Sequence, residues 1–193
     1  MLIKSGISRK QQIEEKATEL FRLRGYSATS MRDLARSLNL EAASLYSHIK
    51  SKEEILQRIC FQMADEFFQV LAIIEDLETS ASEKLKTGII EHVKVITRDV
   101  SASAVFLNEW RHLSEPYLGE FLVMRENYEG KFMDIIKKGI ETKDFKVVDE
   151  KFAAQFILSS INWTYKWYKP TGKMTPEEIG FKLAGFLIHG IKN

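Results

Sequence analysis

Residues 30–54 read Ser30-Met31-Arg32-Asp33-Leu34-Ala35-Arg36-Ser37-Leu38-Asn39-Leu40-Glu41-Ala42-Ala43-Ser44-Leu45-Tyr46-Ser47-His48-Ile49-Lys50-Ser51-Lys52-Glu53-Glu54. Two short helical patterns meet here at a tight turn. Met31, Leu34, Ala35 and Leu38 recur at helical spacing as one apolar stripe, and Leu45 and Ile49, four apart, anchor a second helix. Asn39 falls between them, and Asn tolerates positive φ better than most non-glycine residues. The second helix is too short to stand alone. Its outer face carries hydroxyls, an imidazole and a phenol in place of the usual Lys/Glu mix. Such a face suits contact with a nucleic-acid backbone and base edges.

Upstream, residues 9–24 place Ile13, Ala17, Leu20 and Phe21 on one face, and Gly25 stops that helix in a left-handed conformation. Three helices thus close a head too small to bury much surface alone. It leans on a fourth helix over 52–74, whose apolar side is Ile55, Leu56, Ile59, Met63, Phe67, Val70 and Leu71. Further helices are expected over 81–98, 102–113, 117–142, 150–168 and 176–191. Helix starts are legible as hydroxyl caps with an acceptor three residues on: Ser8/Gln11, Ser30/Asp33, Ser51/Glu54, Ser80/Glu83 and Thr175/Glu178. Pro176 takes the first helical position after Thr175. No period-2 strand or internal repeat appears. The expected fold is all-α, about nine helices, with a helix-turn-helix head over 1–52 and a helical body over 53–193.

The chain has 193 residues, 45% hydrophobic, and a net charge of +1 that selects no partner. The distribution says more: residues 1–58 carry 11 Lys and Arg against 7 Asp and Glu, and the remainder 17 against 20. A basic head on an acidic body suits a first third that meets a polyanion. One cysteine, Cys60, cannot form an internal disulfide and lies in an apolar run, as a core residue does. Met1-Leu2-Ile3-Lys4-Ser5-Gly6 lacks the apolar core of a signal peptide, and no apolar run reaches spanning length, so a cytoplasmic chain with no membrane partner is expected.

The block Ala17…Leu20-Phe21…Gly25-Tyr26…Thr29-Ser30-Met31-Arg32-Asp33-Leu34-Ala35…Leu40…Leu45-Tyr46-Ser47-His48-Ile49…Ser51-Lys52-Glu53…Leu56 resembles the TetR family of bacterial transcriptional regulators. It departs from the family pattern at Asn39, where a turn glycine is common, at Glu41, where a small polar residue is common, and at Ile49, a frequent aromatic. The resemblance implies a two-fold dimer on double-stranded DNA, each third helix in a major groove of a palindromic operator. Ser44, Tyr46 and His48 would then donate to phosphate oxygens, with Lys50 and Lys52 adding charge. Ala42, Ala43 and Ser47 would meet base edges, Ala43 against a thymine methyl. Thr29 and Ser30 would offer a backbone N–H to phosphate, and Lys4, Arg9 and Lys10 an arm along the duplex. Thr29 and Ser30 are caps with or without DNA, and the two lysines are equally compatible with a solvated surface.

The same resemblance implies a body that senses a small molecule. Asn108-Glu109-Trp110-Arg111-His112 and Arg125-Glu126-Asn127-Tyr128 mix rings with donors, as an apolar pocket with polar anchors requires. Asn108–Arg111, with residues 163–178, also resembles a subset of the family that responds to acyl-coenzyme A thioesters. That likeness implies Phe67, Phe106, Trp110 and Trp163 around an acyl chain, and Arg111, Arg125 or Lys131 on coenzyme phosphates. A free hydrophobic compound is the competing effector. The last two helices look like a dimer surface, with Phe152, Phe156, Ser159, Ser160 and Trp163 on one and Gly180, Ala184, Leu187, Ile188 and Ile191 on the other. The alternative is packing within the chain. The expected mechanism is repression relieved by ligand.

An enzyme is not expected. His48, His92, His112 and His189 are far apart, with no metal-ligand spacing, no nucleophile motif and no phosphate loop. No cofactor is expected either. A helical DNA-binding architectural or adaptor protein without effector sensing is the second alternative, separable by whether a preferred site survives rising salt.

Overall fold

The computed structural model describes residues 8–192. Its helices are α1 (Arg9–Arg24), α2 (Met31–Ser37), α3 (Ala42–Tyr46), α4 (Lys52–Glu75), α5 (Ala81–Arg98), α6 (Val100–Asn108), α7 (Tyr117–Glu141), α8 (Glu150–Asn162), α9 (Thr164–Trp167) and α10 (Pro176–His189), with a 3-10 turn over Trp110–His112. The only extended pairing among the described residues is a single bridge between Phe145 and Lys192.

Each of the five hydroxyl caps is in place. Ser8, Ser30 and Thr175 form reciprocal boxes with Gln11, Asp33 and Glu178, and Ser51 and Ser80 accept from the backbones of Glu54 and Glu83. Asn39 takes the left-handed conformation at φ 53. Gly25 departs from expectation. Its φ of 84 is positive but its ψ is 154, an extended conformation open essentially to glycine, which turns the chain rather than closing a left-handed cap.

Two expected helices end early. The one over 102–113 starts at Val100, because the Asp99 carboxylate accepts from Ser101 and Ala102. It stops at Asn108, whose amide Nδ2 donates to the Ala104 carbonyl one turn back, a bond that competes with the helix ladder. The one over 150–168 breaks at Trp163 into α8 and α9.

The expected apolar faces of α1 and α4 are buried throughout, and Leu45 and Ile49 are buried under α3. An ionic cluster ties head to body on one side: Arg58 donates to Glu14 and Glu54, and Lys10 lies 3.7 Å from Glu54.

The broadest helix–helix contact is α10 on α5. A Cβ at Gly180 would lie 2.8 Å from the Ile90 Cα, so only glycine permits this approach. Gly180→Ala is therefore expected to force the two backbones apart, costing about 2 kcal/mol, as measured by urea unfolding. The stripe Gly180, Ala184, Leu187, Ile188 and Ile191 accordingly faces inward, not toward a partner: Gly180, Ala184 and Ile188 are buried, and Leu187 and Ile191 pack against the core.

Candidate functional site

The outer face of α3 and the turn after it is fully presented. Ala42, Ala43, Ser44, Tyr46, Ser47, His48 and Lys50 are exposed, with Leu45 and Ile49 turned into the head. Ser47 Oγ donates to the Ser44 carbonyl at 2.7 Å, which leaves the hydroxyl oxygen as its outward acceptor.

Three sequence expectations need correction. Thr29 is buried, its Oγ1 donating to the Gly25 carbonyl and its N–H to the Tyr26 carbonyl. The Ser30 N–H donates to Asp33. Neither backbone donor is free for phosphate, and only the Ser30 side of the α2 start is exposed. Lys52 is drawn inward as well. Its Nζ donates to the Tyr26 and Thr29 carbonyls at 2.9 and 3.0 Å and lies 4.2 Å from the Tyr26 ring centroid. Of its three donors, one is left for an outside partner. Lys4 lies outside the described residues, and Arg9 and Lys10 begin α1.

Tyr26 joins head to body. Its N–H donates to Glu109 at 3.1 Å, and its ring stacks on His112 at 5.2 Å. Burial, then the Glu53 charge, push its phenol up to about 12. Glu109 also lies 3.5 Å from His112, and Glu53 accepts from the Ser114 N–H. The Glu109/His112 pair is thus spent on the joint with the head.

A cavity of about 420 Å³ opens between α4, α5, α6, α7 and α8. Phe67, Phe106, Phe121 and Tyr128 line it, and the Phe67 ring stacks on His92 at 4.5 Å and meets Phe106 and, edge-on, Tyr128 within 5.5 Å. Among these rings lies a polar set. His92 Nδ1 is 2.8 Å from Tyr128 Oη, and His92 Nε2 is 2.9 Å from Asn162 Oδ1. Burial lowers the His92 pKa from 6.5 to about 4, opposed by the Asn162 bond. A neutral ring that donates from Nε2 to Asn162 Oδ1 and accepts at Nδ1 from the Tyr128 hydroxyl satisfies both imidazole nitrogens. Burial raises the Tyr128 pKa, so the phenol keeps its proton.

Beside the cavity, Arg111 and Arg125 each hold a guanidinium carbon 4.5 Å from the Trp110 ring centroid. Neither forms an ion pair among the described residues. Partial burial, then the positive charge of Arg111, lower the Arg125 pKa, with Glu129 opposing.

The sequence matches the profile described as bacterial regulatory proteins, tetR family, over residues 13–59, and the profile of the tetracyclin repressor-like C-terminal domain over residues 78–191. The chain belongs to the TetR family. Among curated relatives, the transcriptional repressor KstR2 of Mycolicibacterium smegmatis is 28% identical over 95% of this chain and 91% of its own. The structure of KstR2 of Mycobacterium tuberculosis has a TM-score of 0.89 at 24% identity, covering 100% of this chain and 97% of its own, which bears on fold. AibR, solved in complex with isovaleryl coenzyme A and operator DNA, has a TM-score of 0.80 at 28% identity, covering 94% and 98% of the two chains. These relatives are transcriptional regulators, not enzymes.

In this TetR-family regulator, Phe67, Phe106, Arg125 and Tyr128 of the expected ligand residues line the cavity. Trp110 and Arg111 stand beside it, joined through the Arg125 and Phe121 stacks. Trp163 does not belong to it; it is 59% exposed on the face of α8 that carries Phe152 and Phe156. Lys131 is engaged elsewhere, paired with Glu75. His92 and Asn162 were missed. The available signal for His92 was a polar residue at helical spacing within the buried stripe Leu85, Ile89, Val93 and Ile96. No helix among the described residues is long and apolar enough to cross a membrane.

Proposed function

We propose that this chain is a dimeric cytoplasmic repressor, released from a palindromic operator when an acyl-coenzyme A thioester enters the body cavity. One observation carries the effector reading: an aromatic cavity whose edge bears two guanidiniums on a single tryptophan ring, neither in an ion pair among the described residues. Two like charges held together favour an anion between them, and phosphate accepts the fork geometry of arginine. A coenzyme A thioester supplies phosphates at one end and an apolar chain at the other. The AibR complex, at 28% identity, shows a relative with such a ligand.

For the head we keep the reading of α3 as the groove-reading helix, with Tyr46, Ser44, His48 and Lys50 on phosphates and Ala42, Ala43 and Ser47 on base edges. Half-sites would lie roughly 34–36 Å apart, or a multiple of a helical turn. The working division stays at residues 1–52 and 53–193. Dimerisation through α8 and α10 would use their exposed faces, Phe152, Phe156 and Trp163 on one and Phe181 and Phe186 on the other, as a four-helix bundle.

Coupling runs through residues 108–114. Trp110 stacks toward the cavity on Arg125, and two residues on His112 stacks on Tyr26 of the head. A ligand that repositions Trp110 moves the same short turn that holds Tyr26. If it binds better with the heads displaced, it weakens DNA binding by the same factor.

Fluorescence anisotropy of a palindromic operator tests this. Isovaleryl-CoA and longer acyl-CoAs are expected to release DNA, and the matching free acids not. Arg111→Ala/Arg125→Ala should raise the thioester concentration needed by about tenfold. Equal release by the free acids supports the free hydrophobic effector, and tightening by every thioester reverses the sign.

A further inference from the structure

The cavity wall made by Tyr128, His92 and Asn162 does more than join helices. Three helices, α7, α5 and α8, each contribute one polar group, and these meet among the rings of Phe67 and Phe106. The network saturates the histidine but not its neighbours. Asn162 spends its Oδ1 on His92, and its Nδ2 has no partner among the described residues, so two N–H donors remain on a cavity-lining side chain. The Tyr128 oxygen keeps its lone pairs.

We propose that this wall is a subsite for an uncharged oxygen function, a ketone or hydroxyl, on the buried part of the effector; it rests on the cavity being the effector site. A hydrocarbon placed there leaves the Asn162 amide without water or partner, which costs affinity. A ketone oxygen accepts from Nδ2, and a hydroxyl also donates to the Tyr128 oxygen. A carboxylate is rejected twice. The wall itself offers no cation to replace its hydration, and Glu126 and Glu129 line the cavity together with Arg125, the guanidinium assigned above to phosphate. Glu129 is held there, accepting from Gln155 Nε2 at 3.0 Å. The wall thus selects by polarity without charge, while Phe67 and Phe106 select apolar bulk.

The test uses the full chain on its operator and three thioesters of matched length: heptanoyl-CoA, its penultimate-carbon ketone, and adipoyl-CoA. The ketone is expected to release DNA at about tenfold lower concentration than heptanoyl-CoA, with adipoyl-CoA weakest. Asn162→Leu should erase the ketone preference, read as the ratio of the ketone and heptanoyl responses within the same variant, and Asn162→Ser should restore part of that ratio. Equal response of the wild-type chain to ketone and hydrocarbon overturns the subsite, as does a preference that survives in Asn162→Leu. The same three acyl groups are run as free acids. If only the acids release DNA and the ketone preference persists, the coenzyme reading fails and the subsite stands. If thioesters release DNA without that preference, the subsite fails alone, and release by neither set overturns both.

Discussion

Phe186→Glu is expected to convert the protein to a monomer and to lower operator affinity by about a thousandfold, toward the non-specific level. Phe186 is 83% exposed on α10, and Phe156, on the neighbouring α8, is 58% exposed. A chain on its own does not need these rings, so their replacement leaves the fold of one subunit alone. Placing a glutamate against a partner's rings, by contrast, buries a charge in an apolar contact. The operator penalty exceeds the interface penalty because one head holds only half a site. Sedimentation velocity reads the first effect and anisotropy at fixed salt the second, with Phe156→Glu as an independent lesion on the other helix. A Phe186→Glu protein that remains dimeric and binds its operator normally would move the interface elsewhere.

The distinction between inward and outward faces of α10 marks where sequence reading ran out. Helix positions were legible because caps are local. A serine and the residue three places on decide a helix start between themselves, and Ser8, Ser30, Ser51, Ser80 and Thr175 all do so. Which face of an apolar helix meets its own chain is not local. Both faces of α10 are apolar, and small residues serve a close approach to any neighbour. Here Gly180 serves Ile90 of α5, and the bulky ring of Phe186 is left outside.

The same limit governs the site. The face of α3 was readable, since a short helix with buried Leu45 and Ile49 has one side left to present. The fate of Lys52 was not, because its carbonyl partners lie more than twenty residues earlier in the chain. In the body, residue types pointed to rings with polar anchors, and Phe67, Phe106, Arg125 and Tyr128 do gather at one cavity. Trp163 was grouped with them by sequence likeness alone, and its register with the exposed Phe152 and Phe156 on α8 turns it outward. The His92–Asn162 bond spans 70 positions, and no spacing rule reaches that far.

That bond has a consequence for stability against acid. His92 is buried and neutral, with a pKa lowered from 6.5 to about 4. Between those values the unfolded chain binds a proton that the native chain refuses. Stability is therefore complete above 6.5 and falls as pH drops toward 4, by about 3 kcal/mol over the full interval. Exposed carboxylates held below their usual range, Asp33 and Glu178 among them, lose stability in the same direction. His92→Gln separates the two sources, since glutamine offers a donor and an acceptor but does not titrate. The variant is expected to be somewhat less stable at neutral pH, because its amide cannot match the ring geometry. Its urea midpoint should nevertheless fall less steeply between neutrality and pH 4, while the carboxylate contribution stays common to both proteins. Superimposable pH profiles would mean that the imidazole takes up its proton in the native state. The hydrogen-bond directions assigned to Tyr128, His92 and Asn162 would then have to be reversed at Nδ1, leaving the phenol oxygen as acceptor.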